Sequence, residues 1–433
     1  MSAPEIELKT LSEQRRYQQE KLAELLDYVS VRSPHYRTVF QREKINPGKI
    51  KSVEDLRHLP FTEKEDLQLH NEDFFCVAKN KVVDYVTTSG TLGEPIVIGL
   101  TESDLKRLEY NEYLSLVCAN GTSDDIYQII TTLDRRFMAG LAYYMGVRRL
   151  GAGVIRVGSG IPELQWDTIR KIKPTALITV PSFLLPLIRF AGQHGIDVNT
   201  SGISKAICIG EPIRNPDFSY STLAEKIRGD WNLELYSTYA STEMQTAFTE
   251  CSQFNGGHHH PELLVVEVLG ENGMQVRDGE AGEVVVTTLG VEGVPLLRYK
   301  TGDVCNYFSE PCRCGRQTIR LGPVIGRKKQ MIKYKGTTLY PQAFFDILSR
   351  FDDISNYVVV ASTNATGTDE IKILAASKKT DAEYEKELVD HIKAKLRVAP
   401  KLEFIAGEKI EALQNKNSMG RKVARFIDER SGE

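Results

Sequence analysis

The residues best suited to chemistry begin at Thr87-Thr88-Ser89-Gly90-Thr91-Leu92-Gly93-Glu94-Pro95. Hydroxyls and glycines packed this closely suit a loop whose backbone N–H groups and side-chain oxygens wrap a polyphosphate. No Gly-Lys-Ser/Thr follows, so this is not the usual lysine-bearing nucleotide loop. A polar surface turn would read the same way in isolation. Further short motifs separate the two readings, because they follow in one order: Gly210-Glu211-Pro212, Tyr239-Ala240-Ser241-Thr242-Glu243, Arg298-Tyr299-Lys300-Thr301-Gly302-Asp303, Gly326-Arg327 and Gly336. Singly, an Asp in a Thr-Gly-Asp turn forms the turn, a Tyr in an α/β core packs, and a Glu caps or solvates. Their joint order favours a functional site.

A second set is rich in metal donors. Cys251 is followed seven positions later by His258, and Cys312-Arg313-Cys314 stands between Pro311 and Gly315. Three thiolates and an imidazole form the tetrahedral Cys₃His set that zinc prefers. Four protein ligands leave no open position, so the expected role of Zn2+ is structural, tying the loop after Glu243 to the strand region after Asp303. The alternative is three reduced cysteines beside a surface histidine tract. His258, His259 and His260 are contiguous, and the sequence leaves open which of them would bind.

The ordered motifs resemble those of the acyl-adenylate-forming superfamily. LPFTEKEDL (59–67), RRLGAGVI (148–155) and YPQAFFDIL (340–348) look like its phenylacetate–CoA ligase branch, and the resemblance spans nearly the whole chain. It implies a ligase that joins an acid to AMP and then to coenzyme A, with ATP, Mg2+ and CoA required. Under it, Ser89, Gly90, Thr91 and Gly93 hold the ATP phosphates, and Thr88 joins the catalytic residues. Gly210, Glu211 and Pro212 border the adenine, Tyr239 stacks on its face, and Ala240, Ser241 and Thr242 continue the nucleotide-binding run. Glu243 matches the magnesium-binding glutamate, and a carboxylate beside a triphosphate does need a hard cation to offset the repulsion. Asp303 matches the ribose-binding aspartate, whose two oxygens can accept from both ribose hydroxyls. Arg327 and Gly336 complete the nucleotide and CoA-channel positions, and Cys/His patterns of the kind above occur in part of this family.

Near the C-terminus the resemblance places a catalytic lysine, and aligning Arg425 and Asp428 puts Lys422 in that role. A fixed ammonium there stabilises the charge that builds as a carboxylate attacks the α-phosphate. Arg421 occupies the position usually held by glycine, so a second register with Lys416 stays open. Lys329 falls at the hinge between the domains, and Gly336 would line a passage for the CoA arm. Phe137, Tyr143 and Tyr144 follow a strand that borders the acid and would form an aromatic wall favouring a planar aryl group such as phenylacetate. Two rival readings accompany this one: an adenylating enzyme with an acceptor other than CoA, and a nucleotide- or metal-binding relative without turnover.

The elements that must position these residues are legible in outline. At 433 residues the chain calls for more than one folding unit. We expect an α/β fold: a large layered α/β domain over 1–327 with a small β-barrel-like section, then a small mobile α+β domain over 328–433. Leu22, Leu25, Leu26 and Val29 recur at helix spacing and predict a docking helix. Strand-like runs at 127–133, 151–157 and 206–212 alternate with amphipathic stretches such as 162–173, and TALITVPSFLLPLI (175–188) reads as strand, turn and helix start. Residues 263–289 read as two strands around an Asn-Gly turn, and 381–397 as a helix. A net charge of −3 with 26% charged residues creates no field that would seek a polyanion, so no nucleic-acid partner is expected. No signal peptide or membrane span is evident, and seven cysteines in a chain this long argue against a disulfide framework. The expectation is a cytoplasmic protein acting on a small-molecule carboxylic acid, with a homodimer as the assembly to test.

Overall fold

The computed structural model describes residues 3–88, 95–334, 337–364, 369–416 and 423–430. Two compact units emerge, one from the described residues of 1–88, 95–301 and 305–324, the other from 302–304 and those of 325–433.

The first unit opens with α1 (Glu5–Leu8), α2 (Leu11–Arg32), α3 (Pro34–Arg42) and α4 (Lys64–Leu69). Thr10 and Glu13 cap α2 reciprocally, satisfying N–H groups the first turn would leave orphaned. Its Leu22, Leu25, Leu26 and Val29 are buried as their spacing predicts. Next come the paired strands β1 (Asp84–Thr87) and β2 (Val97–Leu100), then α5 (Glu102–Cys118), β3 (Ile126–Ile129), α6 (Met138–Leu150) and β4 (Gly153–Arg156). The alternation continues through α7 (Pro162–Ile172), β5 (Ala176–Thr179), α8 (Leu184–Gln193), β6 (Lys205–Ile209), α9 (Thr222–Asp230) and β7 (Glu234–Ser241). Further strands follow: β8 (Thr246–Glu250), β9 (Gly257–His258), β10 (Leu264–Leu269), β11 (Ala281–Thr288), β12 (Tyr299–Phe308) and β13 (Arg320–Arg327), with antiparallel pairing in β7–β8, β8–β9, β9–β13 and β10–β11. One 11-stranded sheet runs β10-β11-β12-β13-β9-β8-β7-β6-β5-β3-β4.

From β4 to β7 that sheet is parallel, and β5 and β6 are buried along their whole length, as strands covered on both faces must be. The two-residue period sorts their side chains. Leu177, Ala206, Cys208 and Leu235 face α7, α8 and α9, where Trp166 stacks on Trp231. Ala176, Ile178, Ile207, Ile209 and Tyr236 face the layer that holds Leu116, Tyr143 and Val147 of α5 and α6. The residues of α2 and α3 pack instead on the antiparallel end, against Val265, Val284 and Val286.

The second unit contains β14 (Ile332–Tyr334), β15 (Thr337–Leu339), α10 (Pro341–Leu348), β16 (Ile354–Thr363), β17 (Asp369–Ser377), α11 (Ala382–Leu396), β18 (Lys401–Phe404), α12 (Gly407–Lys416) and β19 (Phe426–Asp428). Its four-stranded sheet has the order β18-β17-β16-β19. Asp381 caps α11 by accepting from Tyr384 N–H, and Phe344, Ile347, Ile373 and Ile392 close the core.

Candidate active site and cysteine–histidine cluster

Parallel strands deliver two of the ordered motifs to one edge. Gly210-Glu211-Pro212 follows the carboxyl end of β6, and Tyr239 lies near the carboxyl end of the adjacent β7, the edge at which open α/β sheets bind ligands. The Glu211 carboxylate is already engaged. It accepts from Ser182 N–H at 2.9 Å and from the Ser182 hydroxyl at 3.0 Å, pinning the turn after β5 to the turn after β6. Tyr239 sits across from Phe248 of β8, with ring centroids 5.8 Å apart. Ala240 is exposed, Ser241 and Thr242 are half-buried, and Glu243 is 9% exposed in the turn before β8.

That turn is braced from behind. Gln245 adopts a left-handed φ of 51°, and its carbonyl accepts from Nη1 of the buried Arg107 at 2.7 Å. The same guanidinium donates to Leu289 O, Leu263 O and the Thr246 hydroxyl. Burial pulls its pKa down to about 10. Ahead of it, Glu243 Oε1 accepts from the Tyr299 hydroxyl at 3.3 Å.

On the β1 side, Thr87 N–H donates to Arg136 O (3.1 Å) and Thr88 N–H to Ile96 O (3.0 Å), while the Thr88 hydroxyl accepts from Ile96 N–H. Ser89, Gly90, Thr91 and Gly93 lie outside the described residues, as do Gly336 and Lys422. The strand expected over 127–133 ends at Ile129, and a loop carries the chain to α6. In it Arg135 and Arg136 are both left-handed, at φ 57° and 58°, a conformation that costs roughly 1–2 kcal/mol per residue. At Gly140 a Cβ would fall 2.1 Å from Thr132 O, so only glycine lets α6 start there. Tyr143 is buried between α6 and the sheet, and Phe137 and Tyr144 pack at the margin of that cluster. The Tyr144 ring carries Arg156 and Arg148 at 5.2 and 5.8 Å. Beneath α6, Glu112 is fully enclosed. Its Oε1 accepts from Asn111, Oε2 has no hydrogen-bond partner among the described residues, and burial pushes its pKa up to about 7.

Within the second unit, Asp303 is 8% exposed and pairs with Arg327 Nε at 3.3 Å. Lys329 is exposed and its carbonyl accepts from Arg430, which also pairs with Asp428 and Asp369. Lys416 is the exposed last residue of α12.

The donor set of Cys251, His258, Cys312 and Cys314 comes together, with ligand atoms all within 4.8 Å of one another. Cys251 follows β8, His258 lies in β9, and the two other thiols flank a turn in which Gly315 N–H donates to Cys312 O at a φ of 95° that favours glycine. Cys251 and Cys312 sulfurs are 3.7 Å apart, and His258 Nε2 is 3.5 Å from Cys314 Sγ. The Thr318 hydroxyl lies 2.9 Å from His258 Nδ1. With the proton on Nδ1 donated there, Nε2 turns its lone pair to the sulfurs, as a metal-ligating histidine requires. Neither neighbour competes: His259 Nε2 meets Leu264 O, and His260 Nδ1 meets Glu7. Hydrogen bonds from Cys251 and Cys312 hold Cys314 far below the ordinary thiol range, and hydrogen bonding to Cys312 pushes Cys251 far above it. Three sulfurs so crowded cannot all ionise without a cation between them, so the residues fit zinc.

One residue of this cluster escapes sequence reasoning altogether. Glu7 is 0% exposed, and its carboxylate takes Arg316 Nε at 2.7 Å and His260 Nδ1 at 2.6 Å. Gln317 N–H donates to Glu7 O, and Arg316 Nη1 reaches Cys314 Sγ. Nothing local in the sequence marks it, because its partners lie hundreds of positions away.

A layered sheet with these motifs along its carboxyl edge defines an AMP-binding enzyme, and the family model described as AMP-binding enzyme matches residues 16–292. The phenylacetate-coenzyme A ligase of Thermus thermophilus is 30% identical over 84% of this chain and 82% of that protein. The phenylacetate-coenzyme A ligase of Escherichia coli is 28% identical over 81% of this chain and 79% of its own. The chain belongs to the phenylacetate–coenzyme A ligase family of AMP-binding enzymes. Its fold is that of a 2-hydroxyisobutyryl-CoA ligase crystallised with 2-HIB-AMP, at a TM-score of 0.83 with 21% identity over 98% of this chain and 92% of that one.

Proposed function

We infer that the protein is an ATP-dependent, AMP-forming acid–CoA ligase. The acid's carboxylate attacks the α-phosphorus of ATP, pyrophosphate leaves, and the CoA sulfur then displaces AMP from the acyl-adenylate. The observation that carries this reading is the gathering of Gly210–Pro212, Tyr239 and Glu243 along adjacent strand ends in a chain that the Thermus thermophilus ligase matches over 84% of its length.

In this reading the carboxylate of Glu243, oriented by Tyr299, would hold Mg2+ against the phosphates, and the metal would offset the charge between nucleotide and acid. Tyr239, Ala240, Ser241 and Thr242 flank the nucleotide, and Gly210 to Pro212 border the adenine with Glu211 as a strut. The Asp303 carboxylate, oriented by Arg327, takes the ribose hydroxyls. We assign Thr88 and the stretch 89–93 to the phosphates, Lys422 to the adenylation step with Lys416 as the other register, Lys329 to a hinge between 1–327 and 328–433, and Gly336 to the CoA passage.

An aryl acid is the substrate to try first, on the names of the relatives. Phe137 and Tyr144 are the pocket residues to test, since Tyr143 is enclosed in the core. Cys251, His258, Cys312 and Cys314 would hold a structural Zn2+, with no position left for substrate. Among the described residues no helix is long and apolar enough to cross a membrane. We place the protein in the cytoplasm, where ATP and CoA are supplied, and light scattering will tell a monomer from a homodimer. Acid-dependent ATP–pyrophosphate exchange across aryl and alkyl acids tests the function. Exchange with at least one acid, and AMP release that requires CoA, is the expected result; AMP release without CoA would favour another acceptor.

A further inference from the structure

The two exposed arginines of the β3–α6 loop have no task in the reading above. Arg135 and Arg136 both hold left-handed backbone, which residues with a Cβ avoid unless the surroundings impose it. Here they do. The Thr132 hydroxyl donates to Asp134, Phe137 N–H donates to Asp134 O at 3.2 Å, and Thr87 N–H donates to Arg136 O at 3.1 Å. The last bond is the informative one. Thr87 ends β1 and Thr88 opens the hydroxyl- and glycine-rich stretch, so the main chain of Arg136 is fixed at the entry to that stretch. It also follows the carboxyl end of β3, on the edge that carries Gly210–Pro212 and Tyr239.

Charge completes the picture. Arg135 stands 3.9 Å from Asp134 and Arg149 reaches Glu109 at 3.4 Å, whereas among the described residues Arg136 has no carboxylate at ion-pair distance. A left-handed turn that carries an exposed guanidinium with no carboxylate partner, beside the carboxyl end of β3, suits an incoming oxyanion. The planar fork of arginine matches phosphate oxygens in pairs.

We propose that Arg136 contacts the phosphate chain of ATP in the ligase reaction. As the carboxylate oxygen bonds to the α-phosphorus, the bond from that phosphorus to the bridging oxygen breaks, and the electron pair leaves with pyrophosphate. Arg136 neutralises charge on that departing group; it donates hydrogen bonds and transfers no proton. The inference rests on the ligase reading. Coenzyme A also carries phosphates, but the tie to Thr87 favours ATP.

The test compares Arg136→Gly and Arg136→Lys with the unaltered protein. Glycine removes the guanidinium and relaxes the left-handed backbone, so its melting temperature should equal or exceed that of the parent. In acid-dependent ATP–pyrophosphate exchange the Gly variant should raise KM for ATP about ten- to a hundredfold. KM for the acid should hold, and lysine should restore part of the loss. Thioester formation from supplied acyl-adenylate should be unchanged. An unaltered KM for ATP, or a defect confined to KM for CoA, overturns the proposal. If the parent itself exchanges with no acid, the ligase reading fails instead.

Discussion

The carboxyl edge of the parallel strands and the cysteine–histidine cluster both gather polar groups that the sequence scatters, and they treat them in opposite ways. On the edge, among the described residues, Glu243 meets the neutral Tyr299 hydroxyl and Arg136 has no carboxylate at ion-pair distance. In the cluster the groups around the sulfurs answer one another: Glu7 meets Arg316 and His260, His258 meets Thr318, and Cys314 meets Arg316 and His258. A site whose ligands come and go must leave its charges uncompensated until they arrive, because that imbalance is what stabilises the transition state. A site for a permanent occupant can be sealed, with outer partners fixing each ligand.

The comparison can be broken in three places. Glu243→Gln keeps the shape and the Tyr299 hydrogen bond but removes the charge; acid-dependent exchange should fall about a thousandfold with the melting temperature unchanged. Near-parental exchange would show that the edge does not work through an uncompensated charge. Glu7→Gln should do the reverse. It leaves a buried guanidinium facing a neutral amide, which costs about 3 kcal/mol, read as a lower melting temperature and a lower zinc content by elemental analysis, with KM for ATP held. A smaller effect sharpens the contrast from a third position. The folded-state pKa of Glu112, about 7, lies above its ordinary 4.5. Folded chains therefore keep a proton that unfolded chains have lost between those values, so stability falls as pH rises through the window and levels off above it. Glu112→Gln should flatten that slope and gain on the order of 2 kcal/mol at pH 8. Equal denaturation midpoints for the two proteins at pH 5 and pH 8 would refute this origin of the pH dependence.

Much of the frame was legible because local rules and tertiary demands agree. Short apolar runs at 176–179 and 206–209 read as strands covered on both faces, and the spacing of Leu22, Leu25, Leu26 and Val29 left one helix face to bury. The cysteines could be grouped because thiolate and imidazole are unambiguous metal donors. What stayed hidden depends on where side chains turn. Three contiguous histidines are equivalent as letters, and only the positions of Thr318, Leu264 and Glu7 tell them apart. Tyr143 and Tyr144 likewise differ by one step on a helix, yet one faces the sheet and the other faces two arginines. The left-handed pair at 135–136 carried no signal, since neither residue is glycine, asparagine or aspartate.

Glu7 and Arg316 are separated by 309 positions, which gives the bond between them a place in time. A ribosome adding about 5–20 residues per second releases the glutamate roughly 15–60 seconds before the arginine exists. Throughout that interval the carboxylate must stay hydrated, and the four residues of α1 are too few to hold a helix unaided. The Glu7 carboxylate is thus among the last groups to be fixed in the fold, and a nascent chain halted before Arg316 would leave α1 open to any protease within reach.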